Sequence, residues 1–155
     1  MPHYQLHKKQ KIAVSIDEIW DFISNPSNLK RITPPEMGFD ITSGNGAAAM
    51  YAGMIITYKV SPLLGIKMNW VTEISQVEEK KFFIDEQRIG PYKFWHHQHK
   101  ISAIENGVLM EDIITYQPPL GILGGIMNVV VIKRSLNKIF DFRKEVLKEL
   151  YGELP

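Results

Sequence analysis

The chain has 155 residues, the length of one ordinary domain, and its 45% hydrophobic and 23% charged residues are typical of a globular protein. A formal net charge of +1 gives no global field that would attract nucleic acid or an anionic membrane. The absence of cysteine excludes disulfides, thiolate metal sites and cysteine nucleophiles. We therefore expect residues 1–155 to form a single domain that does not bind nucleic acid.

The apolar segments do not indicate a membrane protein. Residues 1–10 are largely polar and basic, unlike a signal peptide. The longest apolar stretch, Gly121–Ile132, is shorter than the ~20 residues that span a bilayer. We therefore expect no membrane insertion and a soluble, cytoplasmic protein.

The first part of the chain predicts a strand followed by two short helices. Tyr4–Val14 has a strand-like pattern, and Ser15 is placed to cap a helix, with Glu18 completing a capping box. The apolar face of this helix consists of Ile16, Ile19, Trp20 and Ile23. Asn25-Pro26 ends the helix, and a second short helix is expected over Asn28–Ile32.

From Gly38 to Gln117 apolar and polar residues alternate, as they do in antiparallel strands with one buried and one solvated face. The small residues Ser43–Ala49 interrupt this pattern and predict a mobile loop. The buried faces of two of the strands are predicted to carry Ile56, Tyr58, Val60, Met68, Trp70, Thr72 and Ile74. About six strands are therefore expected in this region, after the first strand.

The last element, Met127–Tyr151, is predicted to be one long amphipathic helix. Its apolar stripe consists of Ile132, Leu136, Ile139, Phe140, Val146, Leu147 and Leu150. Only this helix is long enough to cover the apolar face of the sheet. The sequence thus predicts an α+β fold in which a curved antiparallel sheet of about six or seven strands surrounds a long C-terminal helix, with an internal cavity between them.

Two hairpin turns determine which side chains point towards this cavity. A type I′ turn at Asn106-Gly107 would place His97 opposite Tyr116. A three-residue loop, Gly90–Tyr92, would place Asp85 opposite His97, with the further pairs Gln87–Trp95 and Ile89–Lys93. A two-residue loop would instead turn Asp85 outward.

With these turns, the inner face of three strands is predicted to be unusually polar. It would carry Phe83, Asp85, Gln87, Ile89, Trp95, His97, His99, Ile101, Asp112, Ile114 and Tyr116. Buried polar groups cost roughly 1 to 3 kcal/mol each when they lack partners, so this face indicates a wet, ligand-sized cavity. Arg143 lies near the apolar stripe of the last helix, from which it could reach Asp85 or Asp112.

The same residues resemble a known superfamily over nearly the whole chain. The most specific part of the likeness is the run Asp85-Glu86-Gln87, Gly90-Pro91 and Trp95-His96-His97-Gln98-His99, supported by Trp20-Asp21-Phe22, Thr33-Pro34-Pro35, Asp112, Tyr116 and Ile139-Phe140-Asp141-Phe142-Arg143. This pattern resembles bacterial ligand-binding domains of the START-like superfamily, also labelled SRPBCC or polyketide cyclase/dehydrase and lipid transport. The resemblance implies a helix-grip fold around a hydrophobic cavity. It implies little about substrate, because members range from carriers to receptors to cyclases.

A ligand-binding surface follows from this interpretation. Aromatic and soft side chains would line an apolar pocket, and polar groups would orient the bound molecule. The predicted ligand-binding residues are Tyr58, Met68, Trp70, Phe83, Gln87, Trp95, His99, Asp112 and Arg143.

His97 and His99 have a spacing at which two imidazoles can hold one metal ion, with Asp85 as the candidate third ligand. Two histidines without a certain third ligand are more often a hydrogen-bonded cluster in a cavity wall. We therefore expect no metal and no cofactor.

Three functions remain open from the sequence. The first is binding of a hydrophobic or amphipathic small molecule, such as a lipid, an isoprenoid or a polyketide-like compound. The second is a cyclase or dehydratase in which Asp85 orients His97 and Tyr116 donates to a substrate carbonyl. The third is an interaction module for a protein partner, which requires an exposed apolar patch that the sequence does not clearly provide.

Overall fold

The computed structural model describes residues 3–43, 49–62, 65–119, 126 and 128–155. The elements, in chain order, are strand β1 (Tyr4–Ile12), helix α1 (Ile16–Ile23), the 3₁₀ helices Pro26–Ile32 and Pro35–Met37, strands β2 (Asp40–Ile41), β3 (Met54–Val60), β4 (Met68–Glu78), β5 (Phe82–Ile89), β6 (Phe94–Ile104) and β7 (Gly107–Gln117), a π-helical turn (Asn128–Ile132) and helix α2 (Lys133–Tyr151). The predicted mobile loop at Ser43–Ala49 lies largely outside the described residues.

The strands form one seven-stranded antiparallel sheet in the order β1-β7-β6-β5-β4-β3-β2. Its inner face is largely apolar, and the alternation along β7 is regular, with every second residue buried. Helix α2 packs against this face through Leu136, Phe140, Arg143 and Leu147. The curved sheet around a long C-terminal helix confirms the predicted helix-grip architecture.

Helix α1 begins where the sequence predicts. The Ser15 hydroxyl accepts a hydrogen bond from the Glu18 backbone N–H at 3.2 Å, which satisfies one of the free donors of the first turn. Helix α1 ends at Ile23, and Asn25 caps the following 3₁₀ helix, because its side chain accepts from the Ser27 backbone N–H at 3.0 Å.

Helix α2 begins at Lys133 and not at the predicted Met127, because the residues before it form the π-helical turn Asn128–Ile132. Its buried stripe continues from Leu147 to Tyr151, which packs edge-on against Phe22. That step of four residues leaves Leu150 41% exposed, so the prediction that Leu150 faces the core was wrong.

The segment after α2 returns to the edge of the sheet. Glu153 forms a β-bridge with Ile12, and the backbone N–H of Leu154 donates to the Lys11 carbonyl at 3.0 Å. The backbone N–H of Ala13 donates to the Gly152 carbonyl at 3.1 Å. The C-terminal segment is thereby hydrogen-bonded to the end of β1.

The predicted register between β5 and β6 is confirmed at Asp85, which pairs with His97. The ladder stops at the pair Glu86–His96, so the further predicted pairs, Gln87–Trp95 and Ile89–Lys93, were wrong. A bulge between β4 and β5 also turns Ile89 outward, where it is 60% exposed, because Thr72 pairs with Gln87 and Val71 with Ile89.

The register between β6 and β7 differs from the prediction by two residues. Ile104 pairs with Gly107, so the turn residues are Glu105 and Asn106, and Asn106 adopts the left-handed conformation with φ 63°. Gly107 is already part of the strand, and the carbonyl oxygen of Ile12 approaches it so closely that a Cβ at position 107 would lie 2.1 Å from that oxygen.

A shift of two residues keeps the same side chains on the inner face, since side chains alternate along a strand. It changes their partners, however. His97 lies opposite Ile114, His99 lies opposite Asp112, and Tyr116 lies opposite Trp95. The predicted pairing of His97 with Tyr116 was therefore wrong.

Replacement of Gly107 by alanine should destabilise the protein by about 2 kcal/mol or more, because the added methyl group meets the backbone of Ile12, which cannot rotate away. The measurement is the free energy of unfolding from urea titration. Glu105→Ala, at an exposed position of the same turn, should change that free energy by less than about 0.5 kcal/mol. Equal stability of the two variants would contradict the assignment of Gly107 to close packing.

Candidate functional site

A cavity of about 120 Å³ lies between the inner face of the sheet and helix α2. Its walls come from two clusters of core residues, one around Phe83, Ile74 and Met50 and the other around Trp70, Trp95 and Phe140. The predicted site residues that line it are Tyr58, Trp70, Phe83, Asp85, Trp95, His97, His99 and Arg143.

Four other predicted site residues do not line the cavity. Met68 is half-buried at the end of β4, opposite Val60, and Gln87 lies beside the β5–β6 loop. Asp112 lies behind the histidines, in a second pocket between β1 and α2. Tyr116 packs against Tyr92 with ring centroids 5.8 Å apart, because the register shift moves it away from His97.

Several lining residues were missed by the sequence analysis. Phe39 follows the 3₁₀ helices and Phe140 belongs to the stripe of α2 that was assigned to the core. Tyr92 lies in the β5–β6 loop, yet only 5% of it is exposed. No periodic pattern marks Phe39 or Tyr92, since neither lies on a regular strand or helix.

Gln87 holds Tyr92 in place. Its side-chain amide donates to the Tyr92 carbonyl at 2.7 Å and accepts from the Tyr92 backbone N–H at 3.1 Å. The amide thus replaces a pair of ladder hydrogen bonds beyond the end of the β5–β6 ladder. This contact turns the Tyr92 ring towards Trp70 and Trp95, with centroid distances of 5.7 and 4.8 Å.

The aromatic wall of the cavity satisfies its polar atoms internally. The Trp70 indole N–H donates to the Thr72 hydroxyl at 3.0 Å, and the Tyr58 hydroxyl lies 3.2 Å from the same oxygen. Burial raises the pKa of Tyr58 well above its ordinary value, so the phenol is neutral at physiological pH. The wall therefore presents ring faces, and not unpaired donors, to the cavity.

Polar side chains from four elements meet beside the cavity, between the two apolar clusters of its wall. Asp85 comes from β5, His97 and His99 from β6, Asp112 from β7 and Arg143 from α2. His97 and His99 are stacked, with ring centroids 3.6 Å apart. Together these five side chains form what we call the polar cluster.

Each imidazole of the polar cluster lies between the two carboxylates. His97 Nδ1 is 3.3 Å from Asp85 and its Nε2 is 2.7 Å from Asp112. His99 Nε2 is 2.6 Å from Asp85 and its Nδ1 is 3.3 Å from Asp112. All four imidazole nitrogens therefore face a carboxylate oxygen.

The carboxylates of Asp85 and Asp112 also accept hydrogen bonds from side chains other than the histidines. The Trp95 indole N–H donates to Asp85 at 3.2 Å, and Arg143 Nη1 donates to Asp112 at 3.0 Å. The Arg143 guanidinium also lies over the Phe140 ring, 4.8 Å from its centroid. Among the side chains that the structure describes, Arg143 Nε is the one buried polar atom without a hydrogen-bond partner.

These contacts shift the pKa values of the polar cluster. Burial alone would raise the pKa of Asp85, but His97 and His99 outweigh it and hold that pKa well below the ordinary range. Burial would likewise raise the pKa of Asp112, and Arg143 together with the histidines holds it well below that range. Burial lowers the pKa of His97, but Asp85 and Asp112 outweigh it and raise the pKa above 6.5.

Several solved structures share the fold of this chain at low sequence identity. A START superfamily protein from Mycobacterium smegmatis is 12% identical, with a TM-score of 0.69 over 96% of this chain and 99% of that one. The major latex-like protein 151 of Panax ginseng is 17% identical, with a TM-score of 0.68 over 99% of both chains. Protein CV1439 from Chromobacterium violaceum is 11% identical, with a TM-score of 0.70 over 99% of this chain and 100% of that one.

These likenesses show that the chain has the START-like fold, as the sequence pattern predicted. No protein-family model matches the sequence, and the search of curated proteins gives no match. Among the described helices, none is both long and apolar enough to cross a membrane.

The raised pKa of His97 predicts a pH-dependent stability. Its charged form contributes fully below pH 6.5, and the contribution is lost as pH rises through the folded-state pKa. In chelator-treated protein, the free energy of unfolding should fall as pH rises above 6.5, by at most ~1.4 kcal/mol per pH unit. The measurement is urea unfolding at a series of pH values on both sides of 6.5.

His97→Gln should remove this dependence, whereas His96→Gln, on the outer side of the same strand, should retain it. The carboxylates of Asp85 and Asp112 give the opposite pH dependence of stability. Because their pKa values are lowered, the contribution of Asp85 and Asp112 is present above the ordinary value of 3.8 and lost as pH falls below it. A stability of the His97→Gln variant that still falls from pH 6.5 upward would contradict the assignment to His97.

Proposed function

We propose that residues 1–155 act as one domain that binds a hydrophobic or amphipathic small molecule in the cavity. The observation that carries this proposal is a cavity with largely aromatic and apolar walls, into which the ionised Asp85 projects beside two histidines. Apolar cavities with a few convergent polar groups are the usual form of a small-molecule site. The START-like fold of the neighbouring structures supports the same general role.

The cavity volume limits what fits without movement. An engineered apolar cavity of about 150 Å³ binds benzene, so the 120 Å³ here accommodates roughly one ring. Burial of a ring with about 200 Å² of apolar surface is worth roughly 5 kcal/mol, which corresponds to a dissociation constant in the high micromolar range before the costs of binding. Tighter binding requires a larger molecule whose remaining part extends through the opening.

The opening lies between the 3₁₀ helices and α2. The lining residues there, Leu29, Met37 and Ile139, are only half-buried. Lys138 forms an ion pair of 2.6 Å with Glu36 across the same gap, between two exposed side chains. A lipid, isoprenoid or polyketide-like compound would place its ring or chain among the aromatic residues, with its polar group at the polar cluster or at this opening.

Blocking the opening tests ligand binding. Ile139→Trp would fill space between α2 and the 3₁₀ helices, so it should lower the affinity for an apolar fluorescent probe at least tenfold. Glu145→Trp, an exposed position on the same helix, should leave the affinity unchanged. The measurement is probe titration, combined with solvent extraction and mass spectrometry of freshly purified protein. Failure of the wild-type protein to take up any apolar probe or to carry any organic compound would refute the proposal.

A cyclase or dehydratase is the second candidate, favoured by the contact between the ionised Asp85 and two histidines in the cavity wall. In this case His97 would act as general acid or base and Asp85 would orient it. Tyr116 packs away from this contact, so the predicted catalytic role of its phenol lacks support.

The test of catalysis uses His97→Asn. For an enzyme, this variant should lose at least 100-fold in turnover of a cyclisable or dehydratable substrate identified by extraction, with probe affinity retained. His96→Asn is the matched control and should keep wild-type turnover. Full turnover in His97→Asn would exclude the acid–base role and leave binding as the function.

A further inference from the structure

Three potential metal ligands converge on one point of the cavity wall. A carboxylate oxygen of Asp85 and one nitrogen each of His97 and His99 all lie within 4.8 Å of one another. All three side chains line the cavity, and both histidines are buried. Two imidazoles and one carboxylate are a ligand set typical of divalent first-row transition metals.

The two imidazole rings are oriented so that each has one nitrogen on the cavity side and the other on the opposite side. Each ring turns one nitrogen towards Asp85 on the cavity side, His97 through Nδ1 and His99 through Nε2. Each ring turns its other nitrogen towards Asp112, which lies behind the cavity. A histidine that binds a metal nearly always donates its second N–H to an outer carboxylate or carbonyl, as both rings are placed to do here.

We propose that Asp85, His97 Nδ1 and His99 Nε2 bind one divalent transition-metal ion of the zinc or ferrous class, with Asp112 as the shared outer carboxylate. This proposal is independent of the proposed function, because metal binding can be measured without any organic ligand. Arg143 completes the arrangement, since its ion pair with Asp112 balances the second carboxylate.

The hydrogen-bonding capacity of histidine is compatible with a metal at this position. A neutral imidazole has a single N–H, so it can satisfy only one of two carboxylates. With an ion on the Asp85 side, each neutral ring coordinates through one nitrogen and donates through the other to Asp112. All four nitrogen–carboxylate contacts of the polar cluster are then accounted for.

The distances require only side-chain movement. In a tetrahedral site with bonds of about 2.1 Å, neighbouring ligand atoms are about 3.4 Å apart. The separation of 3.3 Å between Asp85 and His97 already matches this value, whereas the 2.6 Å between Asp85 and His99 must widen. Asp85 has space on its cavity side for this displacement.

Such an ion would face the cavity with an open coordination position. An oxygen or nitrogen donor of a bound molecule, such as a carbonyl, hydroxyl or carboxylate group, could fill it. The bound molecule is therefore expected to carry a donor atom at the end that reaches Asp85 and the two histidines.

Titration with Co²⁺ alone tests the site. Protein without a histidine tag, stripped with a chelator, should bind one Co²⁺ per chain and develop visible absorption bands of a four- or five-coordinate ion. His99→Ala should weaken binding at least 100-fold, and Asp112→Asn should weaken it 10- to 100-fold without changing the stoichiometry. Circular dichroism of each variant checks that it is folded.

Two controls separate this site from others. His96→Ala, on the same strand but the outer side, and the double variant His3→Ala/His7→Ala should bind Co²⁺ as tightly as wild type. If His99→Ala does not fold, paramagnetic shifts of the His97 and His99 ring signals in the wild-type NMR spectrum decide the question. The absence of saturable binding by the wild-type protein, binding lost only in the His3→Ala/His7→Ala variant, or unshifted His97 and His99 signals would overturn the proposal.

Discussion

The ion pair between Asp112 and Arg143 is the constraint on which the rest of the site depends. Asp112 lies on the inner face of the sheet, where an uncompensated carboxylate would be costly, and Arg143 of the long helix supplies a cation that pairs with it. Loss of one partner of a buried pair typically costs about 3 to 5 kcal/mol. The pair therefore fixes how α2 is rotated over the sheet. It also positions Phe140, on the preceding turn, against both the cavity and the ring of His97.

Next to that contact, the interior combines aromatic and ionised groups. Trp70 and Tyr58 share the hydroxyl of Thr72, so that their polar atoms are already hydrogen-bonded. Each group of the polar cluster has a partner on a neighbouring strand or on α2, so that charge is retained in a largely buried position. The polar cluster lies between two apolar clusters: Phe83 stacks on His99 with ring centroids 4.1 Å apart, and Phe140 lies edge-on to His97.

The sequence predicted the fold and much of the polar cluster, because both depend on local patterns. Alternation placed the inner faces correctly, and the loop after β5 placed Asp85 opposite His97. The register of the last hairpin was wrong because it depends on a distant group, the carbonyl of Ile12, which requires glycine at position 107. The aromatic lining was predicted incompletely for a similar reason. Tyr92 points inward because the side-chain amide of Gln87, in β5, binds its backbone. Tyr92 itself lies in a loop, where side chains follow no periodic pattern. The glycines of Gly121–Gly125 predict a flexible rim of the cavity, but this stretch lies outside the described residues.

The return of the C-terminal segment to β1 has a consequence for association between molecules. β1 is a border strand of the sheet, and exposed backbone donors and acceptors on such a strand can recruit a strand from another chain. Here Glu153 and Leu154 occupy those groups at one end of β1. Farther along the strand, Lys8 and Lys9 carry charged side chains that form ion pairs with Asp141 and Glu111. Hydrogen bonding at one end and charged side chains along the strand oppose intermolecular strand addition. The protein thus protects itself from edge-to-edge aggregation at the border where its sheet would otherwise be extended most easily.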